Sequence, residues 1–333
     1  MEFDLANLRL PKVRDISELG TYCSSGRAAL YTILQALAKR GINCILLPDY
    51  LCSSVVTTVS AAGMNYVFYG LSDKLLPDIE SIKEKIGDTS AVLVINYFGM
   101  QKLSETISAI KKLPTSPPVV LDDVQAFFDF INPDNTEADY SFTSLRKWFP
   151  VPDGGFAHSR YDDLNSPETI DSFWQKKLSG LTLKGLRDSL GDIDSIYLQL
   201  LAQGEEMIET SLAERGSMIT LDILQRISFD DIVSARRRNA AAILSGLADT
   251  DFKPIITPSD NSVPFFIPIT LDNRDDVRKK LFNSRIYCPV HWPADGLALK
   301  RGAYMAAHEL SLIIDQRYDF DDMNRIIEVL SKS

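Results

Sequence analysis

The sequence lacks the hallmarks of several protein classes. It contains no run of about 18 apolar residues, so we expect no membrane-spanning helix. Residues 1–14 carry scattered charges and no apolar core segment, so we predict no secretory signal peptide. No internal repeat or low-complexity tract is present, which argues against a repeat architecture.

Cysteine is also scarce, and acidic residues outnumber basic ones. The net charge is −10, which argues against nucleic-acid binding but still permits a locally positive site for a phosphate-bearing ligand. The cysteines show neither a metal-binding spacing nor a disulfide framework. We therefore expect reduced thiols, no metal site and a cytoplasmic location. The four cysteines are Cys23, Cys44, Cys52 and Cys288.

The chain does contain enough apolar residues for a large core, with 45% hydrophobic content over 333 residues. From residue 45 to residue 122, short apolar strands alternate with amphipathic helices. This alternation is typical of βαβ units and predicts an α/β fold with a mostly parallel sheet covered on both faces. We predict strands at 45–48, 66–69, 91–97 and 119–122, and helices at 53–62, 78–86 and 104–113.

The second half of the chain reads differently. A return strand is predicted at 155–158, and residues 165–248 are mainly helical, with breaks near Gly180, Gly191 and Gly216. A polar connector then leads to a smaller α+β unit. We therefore predict a large domain at 1–248 and a small C-terminal domain at 249–333. The small domain is expected to hold strands at 263–270 and 285–290 and helices at 274–282 and 321–330.

Small and hydroxyl residues precede the first helical pattern. Apolar residues at helical spacing from 29 to 38 follow Ser25 and Gly26, so this pair lies at a helix N-terminus. Free backbone N–H groups and the helix dipole make such a position an anion site, and Gly26 permits close approach. An ordinary N-cap before a buried helix is the alternative interpretation.

Asp122 ends an apolar strand, where a carboxylate is unfavourable unless it has a partner. Ligands of parallel sheets bind beyond the carboxyl ends of the strands, which makes Asp122 a candidate site residue. A helix N-cap aspartate is the alternative.

Lys147 is the second candidate, because its bulky neighbours Leu145, Trp148 and Phe149 predict partial shielding from water. Shielding favours the neutral amine that a Schiff-base lysine needs; the alternative is a surface lysine in a turn.

Three motifs stand in order along the chain. Ser25-Gly26-Arg27-Ala28-Ala29-Leu30 comes first, Leu121-Asp122-Asp123-Val124-Gln125-Ala126 follows, and Lys147 then precedes Asp153-Gly154-Gly155. Together they resemble the DegT/StrS family of PLP-dependent sugar aminotransferases, which has the fold type I (aspartate aminotransferase-like) architecture. The family pattern is Ser-Gly-Thr-Ala-Ala-Leu, then Glu-Asp-x-x-Gln-Ala, then a lysine followed by Glu-Gly-Gly. The resemblance spans most of the chain.

The resemblance implies a role for each matching residue. Lys147 falls on the Schiff-base lysine, and Asp122 falls on the aspartate that pairs with the pyridine nitrogen of pyridoxal 5′-phosphate (PLP). Gln125 falls on the glutamine beside the cofactor ring. The phosphate is expected at the turn of Gly26 and Arg27, with Ser25 and Ser144 as candidate hydroxyl donors.

The chain also departs from the family pattern. Phe142 replaces a serine five residues before the lysine, and Arg27 replaces the threonine of the first motif. Cys52 replaces the aromatic residue that stacks on the ring, so Tyr50 or an aromatic near Phe127 is expected to serve instead. The Tyr-Asn-Arg-Met stretch that reaches across the dimer is at best residues 215–218, without its asparagine. His291 is interpreted either as a structural histidine or as a substrate contact.

The resemblance implies an aminotransferase that moves an amino group from an amino acid, with glutamate as the expected donor. The acceptor would be a keto group of a nucleotide-linked sugar or a cell-surface polysaccharide precursor. Two alternatives stay open: a PLP enzyme acting on a non-sugar amine or keto substrate, and a non-catalytic relative. A homodimer with its active site at the interface is implied, with the helices of residues 192–248 as the expected contact.

Overall fold

The computed structural model describes residues 19–132, 137–248, 250–259, 261–292 and 300–332. Within these ranges, seven strands form one mixed sheet and two further strands form a small antiparallel pair. The strands are β1 (Thr21–Cys23), β2 (Cys44–Pro48), β3 (Asn65–Tyr69), β4 (Ser90–Ile95), β5 (Val119–Asp122), β6 (Tyr140–Ser144), β7 (Gly155–Ser159), β8 (Ile267–Thr270) and β9 (Glu309–Leu312).

The helices of the described ranges flank these strands, and none of them is both long and apolar enough to cross a bilayer. They are α1 (Gly26–Lys39), α2 (Ser53–Ala61), α3 (Ile79–Lys85), α4 (Ser104–Lys111), α5 (Phe127–Phe130), α6 (Phe173–Leu190), α7 (Asp194–Ile208), α8 (Met218–Gln225), α9 (Phe229–Leu247), α10 (Arg274–Asn283), α11 (Lys300–His308) and α12 (Phe320–Ser331).

The sheet order is β1-β7-β6-β5-β4-β2-β3. The pairs from β3 through β6 are parallel, and β7 pairs antiparallel with both β6 and β1. Every residue of β4 is buried because helices cover both faces of the sheet. Leu93 packs into the cluster that contains α1, whereas Val92 packs into the cluster that contains α3 and α4. The predicted α/β class with a mostly parallel, helix-covered sheet is confirmed.

Two sequence predictions are wrong in the second half of the chain. Helix α6 continues through Gly180, because α7 packs so closely there that a Cβ atom would lie 2.8 Å from Leu201 Cγ. The glycine therefore serves helix packing and does not end the helix. Residues 285–290 form no strand, and the strand predicted at 263–270 begins only at Ile267. The partner of β8 is β9, and the 285–290 segment meets β9 through the bond from the Ser311 N–H to the Pro289 carbonyl at 3.0 Å.

The C-terminal elements share the main core. Helix α9 packs against α12, and Ile243 of α9 lies in one apolar cluster with Leu310 of β9 and Met323 of α12. A Cβ atom on Gly246 would lie 2.5 Å from Ile327. This contact joins the predicted small domain, 249–333, to the last helix of the predicted large domain, 1–248. The boundary at residue 248 stays a prediction.

Candidate active site

The carboxyl ends of β4, β5 and β6 meet at one edge of the sheet, because the three strands are parallel neighbours. Helix α1 begins beside them. Together these elements border a cleft with a cavity volume of about 200 Å³. All seven residues predicted for the site line this cleft: Ser25, Gly26, Arg27, Asp122, Gln125, Ser144 and Lys147.

Lys147 lies in a 3₁₀ turn, residues 145–147, that directly follows β6. Its neighbours Leu145, Trp148 and Phe149 are buried in an aromatic cluster, but Lys147 itself is exposed where it lines the cleft. The expectation that these neighbours shield it from water is therefore wrong for the single chain. The turn directs the apolar side chains into the core and leaves the amine available to a ligand in the cleft.

Asp122 is the last residue of β5 and is only 6% exposed. Burial raises the pKa of its carboxyl to about 7, even though the Val124 N–H and the positive charge of Lys147 both act to lower it. The Val124 N–H donates to Asp122 Oδ1 at 2.9 Å, so the carboxylate also closes a local turn of the kind that the N-cap interpretation anticipated. Lys147 offsets part of the negative charge of the Asp122 carboxylate, and a second cation in the cleft would stabilise that charge further.

The N-terminus of α1 is built for close approach. Ser25 is the N-cap, and its Oγ accepts the Ala28 N–H at 3.1 Å. The N–H groups of Gly26 and Arg27 belong to the first turn, which carries no acidic residue. A Cβ atom on Gly26 would lie 3.0 Å from Ser144 Cβ, so glycine lets the helix end meet β6. Ser144 is 8% exposed and makes no capping hydrogen bond.

The remaining predicted residues are placed differently. The Gln125 side chain is 5% exposed, and its Oε1 accepts the Phe98 N–H at 3.0 Å, which fixes the amide beside the cleft. Arg27 is half-buried on α1 and faces the same cleft. Asp153 lies outside it. The Asp153 carboxylate accepts the N–H of Ser217 at 2.6 Å and the hydroxyl of Ser217 at 3.0 Å, so it anchors the start of α8.

The aromatic residues expected to stack on the cofactor ring, and His291, lie outside the cleft lining. Tyr50 is buried and donates its hydroxyl to the His291 carbonyl, and Phe127 packs against other aromatic rings, so neither lines the cleft. His291 Nδ1 lies 2.9 Å from Ser311 Oγ, and its ring packs against neighbouring aromatic rings. The structural interpretation of His291 therefore fits its position. The aromatic residues among the described cleft lining are Phe142 and Trp292.

Sequence reasoning missed a charged group on the cleft wall. Arg146 Nη2 contacts both carboxylate oxygens of Glu205 at 3.1 and 3.2 Å, and Lys177 Nζ binds the same carboxylate. Burial alone would raise the pKa of Glu205, but the charges of Arg146 and Lys177 outweigh it and hold that pKa low. Trp292 was also missed. Only the adjacency of Arg146 to Lys147 was visible as a signal, because Glu205 lies far away in the sequence.

No protein-family model and no curated protein matches the chain. Solved structures do. The sugar aminotransferase CalS13 from Micromonospora echinospora is 17% identical with a TM-score of 0.67, over 94% of this chain and 87% of that one. S. venezuelae DesV, solved in complex with a ketimine intermediate, is 19% identical with a TM-score of 0.68, over 94% of this chain and 84% of that one. A DegT DnrJ EryC1 StrS aminotransferase from Brucella abortus is 18% identical with a TM-score of 0.66, over 94% of this chain and 85% of that one.

These likenesses cover nearly the whole chain at low identity, so they establish the fold. The mixed seven-stranded sheet flanked by helices is the PLP-dependent transferase fold type I architecture of those proteins. The fold implied by the three sequence motifs is thereby confirmed.

Proposed function

We propose that the chain is a PLP-dependent aminotransferase of the DegT/StrS type. It transfers an amino group from an amino acid, with glutamate as the first candidate, to a keto group of a nucleotide-linked sugar or polysaccharide precursor. The observation that carries the proposal is the meeting of Lys147 and Asp122 in one cleft, close enough for the charge of Lys147 to act on the pKa of Asp122.

The residues of the cleft fit the cofactor. A buried carboxylate with a pKa near 7 gains from a cationic partner, which a protonated pyridine nitrogen supplies. The first turn of α1 offers backbone N–H groups to a phosphate, and Ser25, Ser144 and Arg27 line the same cleft, which supports assigning their hydroxyls and guanidinium to the phosphate. Gln125, fixed by its bond to Phe98, is assigned to the ring edge.

Each residue then has a chemical task. Bound PLP supplies an electron sink for the bonds around the amine-bearing carbon. Asp122 would keep the pyridine nitrogen protonated. The amine of Lys147 would hold the cofactor and would serve as the acid and base at the amine-bearing carbon of the substrate. The exposure of Lys147 in the cleft suits a residue that must leave and regain its covalent partner.

The solved structures support the sugar class of substrate, because those proteins are named as sugar aminotransferases or as members of the DegT group. A protein of Streptococcus pneumoniae with this fold is solved in its PLP form, at 14% identity and a TM-score of 0.63, over 94% of this chain and 87% of that one. The cofactor and the substrate class come to this chain by that likeness, together with the cleft residues.

We also infer a cytoplasmic homodimer. All four cysteines are free thiols, in keeping with a reducing compartment. Exposed apolar side chains gather on α6 and α7 and at the start of α8, and burying them against a second copy is favourable. These side chains are Leu186, Leu190, Ile196, Leu198 and Met218. Light scattering after size exclusion should give twice the chain mass, and a monomer would contradict the inference.

The test of the function is a half-reaction. Protein loaded with PLP is mixed with glutamate, and the absorbance spectrum is followed for conversion to the pyridoxamine form, with 2-oxoglutarate measured as product. Conversion in the native protein and none in Lys147→Ala supports the proposal. Bound PLP without conversion by any amino donor would point to another PLP reaction, and failure to take up PLP would point to a non-catalytic relative.

A further inference from the structure

Arg146 has donors that the protein leaves unused. Its guanidinium lines the cleft one residue before Lys147, and its Nη2 is held by Glu205 of α7. Nε and Nη1 are buried and have no hydrogen-bond partner among the described residues. A guanidinium carries five N–H donors, and buried donors without partners are unfavourable. The cleft therefore contains an incompletely satisfied cation beside the reactive amine.

The chain itself shows which chemistry suits this cation. The carboxylate of Glu205 contacts Arg146 Nη2 through both oxygens, at 3.1 and 3.2 Å. Glu205 also binds Lys177, whose side chain is 10% exposed, so the carboxylate is shared between two cations. Carboxylates and guanidinium groups match in geometry, and charge-assisted bonds between them are strong. A second carboxylate can use the donors that Glu205 leaves free.

We propose that Arg146 binds the α-carboxylate of the amino donor. This inference rests on the proposed function and assigns the donor subsite within it. In an amino acid, the carboxylate carbon is one bond from the carbon that bears the amine. A donor whose amine replaces Lys147 must therefore place its carboxylate close to that lysine, where Arg146 lies. The diphosphate of a nucleotide sugar is several bonds from the reacting keto carbon, so its anion belongs further out in the cleft.

Glu205 acts as an internal competitor in this assignment. Its carboxylate partly neutralises Arg146, and an incoming donor would share or replace that contact. Removing the charge of Glu205 should therefore tighten the binding of a carboxylate ligand. A purely structural role for the Arg146–Glu205 pair predicts the opposite, since losing either partner would loosen the cleft wall.

The probes are glutarate, which has two carboxylates and no amine, and uridine diphosphate, which carries the alternative anion. Titration calorimetry on the PLP-loaded protein measures both. Arg146→Gln should weaken glutarate binding about 10- to 100-fold, the range expected for a lost charge-assisted pair, and leave uridine diphosphate unchanged. Glu205→Gln should tighten glutarate binding severalfold. The matched control is Arg238→Gln, on the exposed face of α9, which should change neither ligand.

Unchanged glutarate affinity in Arg146→Gln would overturn the proposal, as would weaker binding in Glu205→Gln or an effect confined to uridine diphosphate. Kinetics give a second readout: the KM for glutamate should rise at least about tenfold in Arg146→Gln, with kcat nearly kept. Borohydride labelling of Lys147 separates the two levels of failure. A labelled Lys147 with unchanged glutarate binding in Arg146→Gln rejects the donor subsite alone, whereas an unlabelled native protein rejects the proposed function.

Discussion

Asp122→Asn should stabilise the cofactor-free protein while removing its activity. The carboxyl of Asp122 has a pKa of about 7 in the fold, against 3.8 for an unperturbed aspartate, because it is buried at the end of β5. Keeping it charged at pH 8 therefore costs about 4 kcal/mol of folding free energy. Asparagine has the same shape, carries no charge, and can keep the bond from the Val124 N–H.

The sign of the effect depends on pH. Well below the unperturbed pKa of 3.8 the carboxyl is protonated in both the folded and the unfolded chain, so Asp122 and asparagine are nearly equivalent there. As the pH rises from about 4 to about 7, the unfolded chain loses the proton and the folded chain keeps it, so the stability of the native protein falls. Above pH 7 the loss is complete. The stability advantage of Asp122→Asn should thus grow by about 2.5 kcal/mol between pH 5 and pH 8.

Urea unfolding of cofactor-free protein at both pH values measures this difference. Asp188→Asn is the control, since that side chain is 94% exposed and its substitution should shift stability by no more than about 0.5 kcal/mol at either pH. Turnover should fall sharply in Asp122→Asn, because asparagine cannot hold a proton on the pyridine nitrogen. An advantage that stays flat from pH 5 to pH 8 would refute the reasoning about the buried charge.

Further substitutions test other parts of the site. Lys147→Ala should abolish turnover. At pH 5, where the buried Asp122 is protonated and does not depend on the lysine charge, it should change the free energy of unfolding by no more than about 0.5 kcal/mol, because the side chain is exposed; urea unfolding and a turnover assay check both. Gly26→Ala should weaken PLP binding about tenfold, since the new methyl group would lie 3.0 Å from Ser144 Cβ, and fluorescence titration with PLP measures it. Asp153→Ala should destabilise the fold by about 3 kcal/mol in thermal unfolding, because it leaves the buried donors of Ser217 without their partner.

The fold and the gathering of the predicted residues could be anticipated from the sequence because both depend on local patterns. Apolar strands and amphipathic helices between residues 45 and 122 specify parallel βαβ units, and such units bring the carboxyl ends of their strands to one edge. Asp122 ends one strand and Lys147 follows closely on another, so their meeting in one cleft is a consequence of the topology.

Other features depend on contacts between distant segments, and the sequence alone does not display them. Glu205 reaches Arg146 across 59 residues of chain, and it meets Lys177 through the packing of α6 on α7. The same packing explains why Gly180 lies inside a helix. The exposure of Lys147 depends on how a 3₁₀ turn orients its three side chains, and bulky neighbours in the sequence do not reveal which way each one faces.

The most direct measurement of the central claim is the site of covalent attachment. The native protein is incubated with PLP, reduced with borohydride, digested and examined by mass spectrometry. We expect a pyridoxyl label on the peptide that contains Lys147 and no such label in Lys147→Ala. A label on a different lysine, or none at all, would contradict the assignment of Lys147 as the residue that holds the cofactor.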